Sequence, residues 1–323
     1  MDISYLLLLQ NFREHTEGFL APIMDWITKM SLSFWPLAVM LIIYWAFDRK
    51  AGRRMFAGMS LAYFMNGFLK LTCCVYRPWI RDARIVPYGD SKVAATGYSF
   101  PSGHSTAATA RYGSIGMWFR KRNKLIMSVM FLAIFLTMFS RNYLGVHTPQ
   151  DVIVGFVSTV IMLILGNLIE DWSDKAPDKR DIIIMAAGLI LTVAAILYYV
   201  FKPYPLDYLA DGSLLVDPKK MLPDSFEGLG FLSAYSVCRV FERKGFEFDK
   251  SMNWKDRFFV GVIALIPAMW WDTHIVNICV TLGSKLVGKY LWSAGIVVYT
   301  MVIVPYIMKK VHESGVLNRI NTN

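Results

Sequence analysis

The chain has 323 residues, with 34 Lys and Arg against 24 Asp and Glu, a formal net charge of +10, and a composition that is 55% hydrophobic and only 18% charged. Soluble domains carry about 25% charged residues, so these numbers exclude an ordinary soluble enzyme and point to a polytopic helical membrane protein. The basic excess lies in short loops beside apolar runs, with no recognised reader motif, which argues against a nucleic-acid partner and for topology control.

In chain order, residues 1–30 carry Asp2, Glu14, Glu17 and Asp25 among apolar residues and lack the basic start of a signal peptide. They read as an amphipathic segment on the membrane surface, because Arg13-Glu14-His15 would make a span costly. Apolar runs long enough to cross, or nearly so, follow at about 31–47, 55–76, 102–119, 124–140, 150–169, 181–201, 226–241, 257–279 and 286–308. The predicted fold is therefore all-α, a polytopic transmembrane helical bundle of about nine helices. The third run is weakened by Arg111, and the seventh is short and rich in Gly and Ser. The longer loops are 77–101 and 202–225; the second holds Pro203, Pro205, Gly212, Pro218 and Pro223, which mark turns. Cys73, Cys74, Cys238 and Cys279 have neither disulfide-framework nor zinc spacing, and read as small apolar packing residues.

Basic residues alternate between loops. Arg49, Lys50, Arg53 and Arg54 precede the second run, and Arg120, Lys121, Arg122 and Lys124 follow the third. Lys175, Lys179 and Arg180 follow the fifth; Arg243, Lys244, Lys250, Lys255 and Arg257 follow the seventh; Lys309, Lys310 and Arg319 end the chain. The positive-inside rule makes that side cytoplasmic and puts the N-terminus outside. Three motifs then meet at the opposite, outer face: Lys70 with Arg77-Pro78, Pro101-Ser102-Gly103-His104, and Ser140-Arg141 with His147 and Asp151.

These residue types suit a phosphate ester. Arg offers planar bidentate recognition and Lys a point charge, so Lys70, Arg77 and Arg141 could clamp phosphoryl oxygens. Taken singly, each equally suits a cation anchoring a helix end among lipid headgroups. Pro101 to His104 reads as a helix start with Pro near N1, where Gly103 admits an oxyanion close to the backbone and Ser102 adds a hydroxyl. His104 could protonate a leaving alkoxide, or simply sit at the interface. Thr148 and Pro149 suit the N-cap and first turn of the next helix, so Asp151 can reach back to one ring nitrogen of His147 and leave the other to attack phosphorus. An ordinary capped helix with an incidental His is the plain alternative.

Read together as K-x6-R-P, P-S-G-H and S-R-x5-H-x3-D, the motifs resemble the signature of the type-2 phosphatidic acid phosphatase superfamily, which shares a fold with vanadium haloperoxidases and bacterial class A acid phosphatases. Every defined position matches, over roughly 31–172. The resemblance implies a six-helix phosphatase core, of which 31–172 holds helices 1–5 with the three motifs, and 173–323 adds helices in an arrangement like that of glucose-6-phosphatase and sphingoid-base phosphate phosphatases. It implies His147 as a nucleophile forming a phosphohistidine, Asp151 orienting it, and His104 as acid and then base. It implies phosphoryl binding by Lys70, Arg77, Ser102, Gly103 and Arg141, with no metal and no other cofactor. The implied partner is a membrane lipid phosphate in the bilayer, hydrolysed on the extracytoplasmic face: outside a bacterial inner membrane, or on the lumenal or extracellular side of an ER or plasma membrane. Candidates are phosphatidate, sphingoid-base phosphate, phosphatidylglycerol phosphate and polyprenyl diphosphate, with phosphate transfer to another acceptor as the alternative reaction.

Four further residues invite a weaker reading. Arg111 lies two helical turns inward of His104 on nearly the same face, either as a structural pair or lining the site. Asp272 and His274, beside Trp270 and Trp271, are either interfacial anchors or part of a substrate cleft. Asn66, one turn before Lys70, reads as interhelical glue or as a ligand to the site.

Overall fold

The computed structural model describes residues 2–95, 97–209, 211–245 and 252–314; Lys250 and Arg319, counted above among the basic loops, lie outside them. The described chain is helical, with one isolated bridge between Tyr208 and Leu214 as its extended pairing. A peripheral helix α1 (Asp2–His15) precedes nine long ones: α2 (Ala21–Phe47), α3 (Arg49–Cys73), α4 (Gly103–Phe119), α5 (Lys124–Tyr143), α6 (Pro149–Ser173), α7 (Pro177–Phe201), α8 (Leu222–Gly245), α9 (Trp254–Thr281) and α10 (Lys285–Glu313). Each predicted run coincides with one of these nine. Six of them, α2, α5, α6, α7, α9 and α10, are long and apolar enough to cross a bilayer. Of the other three, α3 and α8 are long but carry the charges discussed below, and α4 has only 17 residues. The protein is an integral membrane protein with an all-α polytopic fold.

Two starts differ from the sequence reading. Helix α2 begins at Ala21, ten residues before the predicted run, bends at Ser33 and ends in a π turn over Ile43–Phe47. The apolar residues Met24, Phe34, Leu37 and Leu41 bury along it, so Asp25 and Lys29 pair at 2.5 Å on its exposed side rather than ending it. Pro101 is not in the first turn of α4: Ser102 is the N-cap and its hydroxyl accepts from the Ser105 amide at 3.3 Å. By contrast, Thr148 caps α6 and Pro149 opens it, in a capping box completed by Asp151.

Helix α3 is the hub. It packs on α4 and α6 on one side and on α8 on the other, while α8 in turn packs on α7 and α10. Small residues permit this: a Cβ on Gly228 of α8 would lie 2.6 Å from the Tyr63 carbonyl oxygen of α3. Close backbone approach through small residues is how helices associate where no hydrophobic drive operates between them. The first and last long helices also meet, with the Trp45 indole donating to the Thr300 carbonyl at 3.0 Å. Helix α1 is tied down rather than lying free, because buried Arg13 donates to the Tyr143 carbonyl at 2.8 Å and the Val86 carbonyl at 2.5 Å.

Candidate active site

At the end of the bundle opposite the Arg-rich loops, a cavity of about 580 Å³ opens between α3, α4, α8, α9 and α10. Lys70, Arg77, Gly103, His104, Arg141 and His147 all line it, so residues from three motifs far apart in sequence share one space. Ser102 and Asp151 do not line it. Ser102 is fully buried behind the helix start, its amide donating to the Asp151 carbonyl at 2.9 Å and its hydroxyl accepting from Ser105 Oγ at 3.0 Å. Its place is to couple the two helix starts.

The three cations are buried, with Lys70 at 6%, Arg77 at 5% and Arg141 at 4% exposure, and they bond neutral oxygens. Lys70 Nζ donates to the Pro101 carbonyl at 2.9 Å. Arg77 donates to the carbonyls of Val146 at 3.0 Å and Gly97 at 3.2 Å. Arg141 Nη1 donates to Thr28 Oγ1 at 3.0 Å, and its Nε has no hydrogen-bond partner among the described residues. A carbonyl offsets little of a full charge, so these three cations, opposed chiefly by Asp151 and Asp224, give this part of the wall the kind of field a phosphate needs. Burial pushes the Arg77 guanidinium down to about 10, still fully charged at neutral pH.

His147 occupies the loop between α5 and α6. Gly145 takes φ +74 there, the left-handed conformation that turns the chain back within a few residues, and Asn142 Nδ2 holds the His147 carbonyl at 2.9 Å. Arg77 Nη1 lies 2.9 Å from His147 Nε2. A guanidinium can only donate, so Nε2 accepts and the ring proton sits on Nδ1, directed at Asp151 Oδ2 3.3 Å away. Asp151 is itself fixed by the Thr148 amide at 2.8 Å and Ser99 Oγ at 2.5 Å. Burial first, and then the neighbouring Arg77, hold the imidazole well below its usual pKa against the opposing pull of Asp151. His147 is therefore neutral at pH 7, with an unprotonated nitrogen facing the cavity. Across the cavity, His104 makes no hydrogen bond to a described residue.

Of the weaker expectations, Arg111 and Asp272 line the cavity. Arg111 donates to the carbonyls of Ser33 at 3.1 Å and Ser31 at 3.3 Å, and Asp272 accepts from the Trp292 indole at 3.1 Å. His274 does not join them. It is exposed, stacked on Trp270 at 5.1 Å, as an interfacial anchor would be. Asn66 does both things read for it, bonding Thr106 of α4 at 2.9 Å and lining the cavity. Sequence reasoning missed Ser99, whose partner Asp151 is 52 residues away, and missed Tyr63, Asp224, Glu227 and Lys289. No local spacing announces residues that converge only through tertiary packing.

A bundle of this kind, with buried cations and an oriented imidazole around one cavity, defines a phosphoryl-handling membrane protein. Comparison with known proteins places it. The family model of the PAP2 superfamily matches residues 51–175, a stretch that contains every motif residue above. The undecaprenyl-diphosphatase BcrC of Bacillus subtilis (strain 168) is 30% identical over 176 residues, which span 53% of this chain and 83% of that protein. The chain belongs to the PAP2 superfamily and is a membrane-embedded phosphatase. No solved structure matches it significantly.

Proposed function

We propose that this protein hydrolyses the phosphomonoester of a membrane lipid at the extracytoplasmic face, through a phosphohistidine on His147. The observation that carries this reading is the pairing at one imidazole: a proton on Nδ1 aimed at Asp151, and an accepting Nε2 facing a buried cationic cavity. In the first step Nε2 attacks phosphorus, the P–N bond forms and the P–O bond to the lipid alcohol breaks. His104 gives its proton to the departing alkoxide. In the second step water attacks phosphorus, His104 takes its proton, the P–N bond breaks and inorganic phosphate leaves. Lys70, Arg77 and Arg141 hold the oxygens whose charge rises in both transition states, with the Gly103 backbone beside them. Ser102 and Ser99 act behind the site by positioning. The unit carrying this chemistry is residues 31–172, and 173–323 complete the cavity wall.

Polyprenyl diphosphate hydrolysis is the second reading, favoured by the name of the Bacillus subtilis relative. Transfer to a lipid hydroxyl would use the same first step. The test is phosphate release in detergent with EDTA present, from phosphatidate, a sphingoid-base phosphate and a polyprenyl diphosphate, with wild type and His147→Ala. EDTA-resistant release lost in the variant, together with acid-labile ³²P on the wild-type protein, is the expected result. Release that survives His147→Ala sinks the nucleophile assignment. Label appearing on an added lipid alcohol instead of as phosphate would establish the transferase.

A further inference from the structure

A second cavity, of about 480 Å³, opens at the end of the bundle with the basic loops. Its wall comes from the start of α3, the end of α4 with the loop that follows, and α6. Four cations line it, Arg54, Arg120, Lys121 and Arg122, against one carboxylate, Asp48. That carboxylate is already engaged, accepting from the Ala51 amide at 2.9 Å, the Trp118 indole at 3.2 Å and Arg122 at 3.3 Å. Arg120 and Lys121 are exposed, and their side chains make no hydrogen bond or ion pair to a described residue. Arg54 pairs through Nη2 with Asp171, which does not line the cavity, while its buried Nε has no hydrogen-bond partner among the described residues. The positive-inside rule accounts for the sign of these side chains. It does not call for their convergence on one space. Much of the remaining wall is apolar, with Met55, Met117 and Leu163. Met117 is 49% exposed, and Leu125, just past the loop, is 72% exposed. Trp118 carries the Arg122 guanidinium over its ring at 4.3 Å and lies 6.1 Å from Phe47, which is 5.9 Å from Trp254. Aromatic groups of this kind gather at the boundary between membrane and water.

We propose that this cavity binds the headgroup of an anionic phospholipid from the cytoplasmic leaflet, independently of the reaction at the other end. The lipid phosphate meets the unpaired donors of Arg120, Lys121 and Arg54 Nε, and its acyl chains follow Met117 and Leu125 into the bilayer. Basic pockets between helices on that side suit such headgroups. A free anion would use the polar part of the wall and gain nothing from the apolar part. A zwitterionic headgroup would bring an ammonium against four cations, and discrimination comes as much from rejecting the wrong charge as from binding the right one. The position gives the lipid a structural consequence. The three helices whose inner ends form the cavity, α3, α4 and α6, carry Lys70, His104 and Asp151 toward their outer ends. A lipid seated here ties together the inner ends of the helices that bear the motifs.

The test is native mass spectrometry of the full chain in detergent, titrated with dioleoylphosphatidylglycerol or dioleoylphosphatidylcholine, with inorganic phosphate at matched ionic strength as a competitor. Phosphatidylglycerol is a phosphodiester, so it lies outside the hydrolysis proposed above. The wild type is expected to retain one phosphatidylglycerol about twentyfold more tightly than phosphatidylcholine, since each cation near an anionic headgroup is worth about fivefold. Its Tm should rise with phosphatidylglycerol by mass action. The double variant Arg120→Gln/Lys121→Gln should bring the ratio close to one. Lys175→Gln/Lys179→Gln removes the same charge from the same end, at exposed residues that do not line the cavity, and should keep the wild-type ratio. All four side chains are exposed, so both variants are expected to fold, with the lipid-free Tm as the check. The comparison of the two lipids on the wild type stands without either variant. Equal retention of the two lipids, an equal loss in the two double variants, or displacement of phosphatidylglycerol by inorganic phosphate would each overturn the proposal.

Discussion

Two clusters of buried charge sit at opposite ends of the same helices, and they are built on opposite rules. At the end with the basic loops, Arg53 lies 2.5 Å from Glu170, Arg239 lies 3.0 Å from Glu170 and 3.1 Å from Asp181, and Arg243 lies 2.6 Å from Asp174. Arg49 adds a pair to Glu242 at 2.7 Å, and the Tyr235 hydroxyl closes on Glu170. Each cation there meets a carboxylate. At the cavity end, Lys70, Arg77 and Arg141 rest on carbonyls and a hydroxyl. The first arrangement is complete within the fold and ties α3, α6, α7 and α8 together. The second would be completed by the phosphate proposed for it. Lys70 and Arg141 hydrogen-bond to carbonyls and a hydroxyl where Arg53 and Arg239 meet carboxylates, although all four are buried.

The comparison can be broken by substitution at either end. Asp151→Asn, which removes the acceptor fixing the His147 tautomer, is expected to lower kcat by about 10⁴-fold, on the pattern of carboxylates that orient catalytic imidazoles. Thermal stability measured alongside should change little, and a loss under about tenfold would remove Asp151 from its orienting role. Arg239→Met should act on the other property. It removes the fully buried guanidinium shared by Glu170 and Asp181, leaving them Arg53 and Arg243, and breaking a buried pair costs about 3–5 kcal/mol. A steep fall in Tm is expected, with unchanged turnover per folded molecule; an unchanged Tm would mean the cluster is not the clasp described. Arg77→Gln should cost about 10²–10³-fold in kcat/KM, as for removal of one oxyanion donor, and lower Tm less than Arg239→Met, because a glutamine amide can still donate to the Val146 or Gly97 carbonyl. If Tm falls as far as in Arg239→Met, the two clusters are not different in kind.

Smaller effects sharpen the picture. The pKa of His147 lies below the ordinary imidazole value, and the nucleophile must be unprotonated. Activity is therefore kept above the lowered pKa and lost as pH falls through it. The acid limb of kcat/KM, which reports the free enzyme, is expected below about pH 6.5; a limb above that value would contradict the burial of His147. Smallest is Ser99→Ala. Asp151 keeps the Thr148 amide, so about tenfold or less in kcat is expected, the worth of one hydrogen bond to a charged group.

Much of this was legible in the sequence, for identifiable reasons. The nine helices were readable because a bilayer demands long apolar runs. The motif residues were readable because order and spacing put them at one face. The early start of α2 was hidden by Asp25 and Lys29, which neutralise each other one turn apart. Pro101 lies two positions before N1, since a helix start can put its proline before the N-cap as well as after it. Segment 202–225 read as turns throughout, yet α8 opens at Leu222 and delivers Asp224 and Glu227 to the cavity. His274, two residues after Asp272, points elsewhere, because residues two apart on a helix do not share a face.

The ion cluster also bears on how the chain is made. Arg53 and Glu170 reach the membrane well before Arg239 of α8 has been synthesised, and the α7 carboxylate Asp181 precedes it too. Until α8 arrives, those acids have one close-lying guanidinium where the finished protein supplies three. Charged groups held near lipid without full pairing are costly, so the N-terminal helices carry an incomplete interior through most of translation. A chain cut after α7 would contain every motif residue and still present that exposed acidity to the quality-control proteases. The second half of the chain is what completes the charge balance of the first.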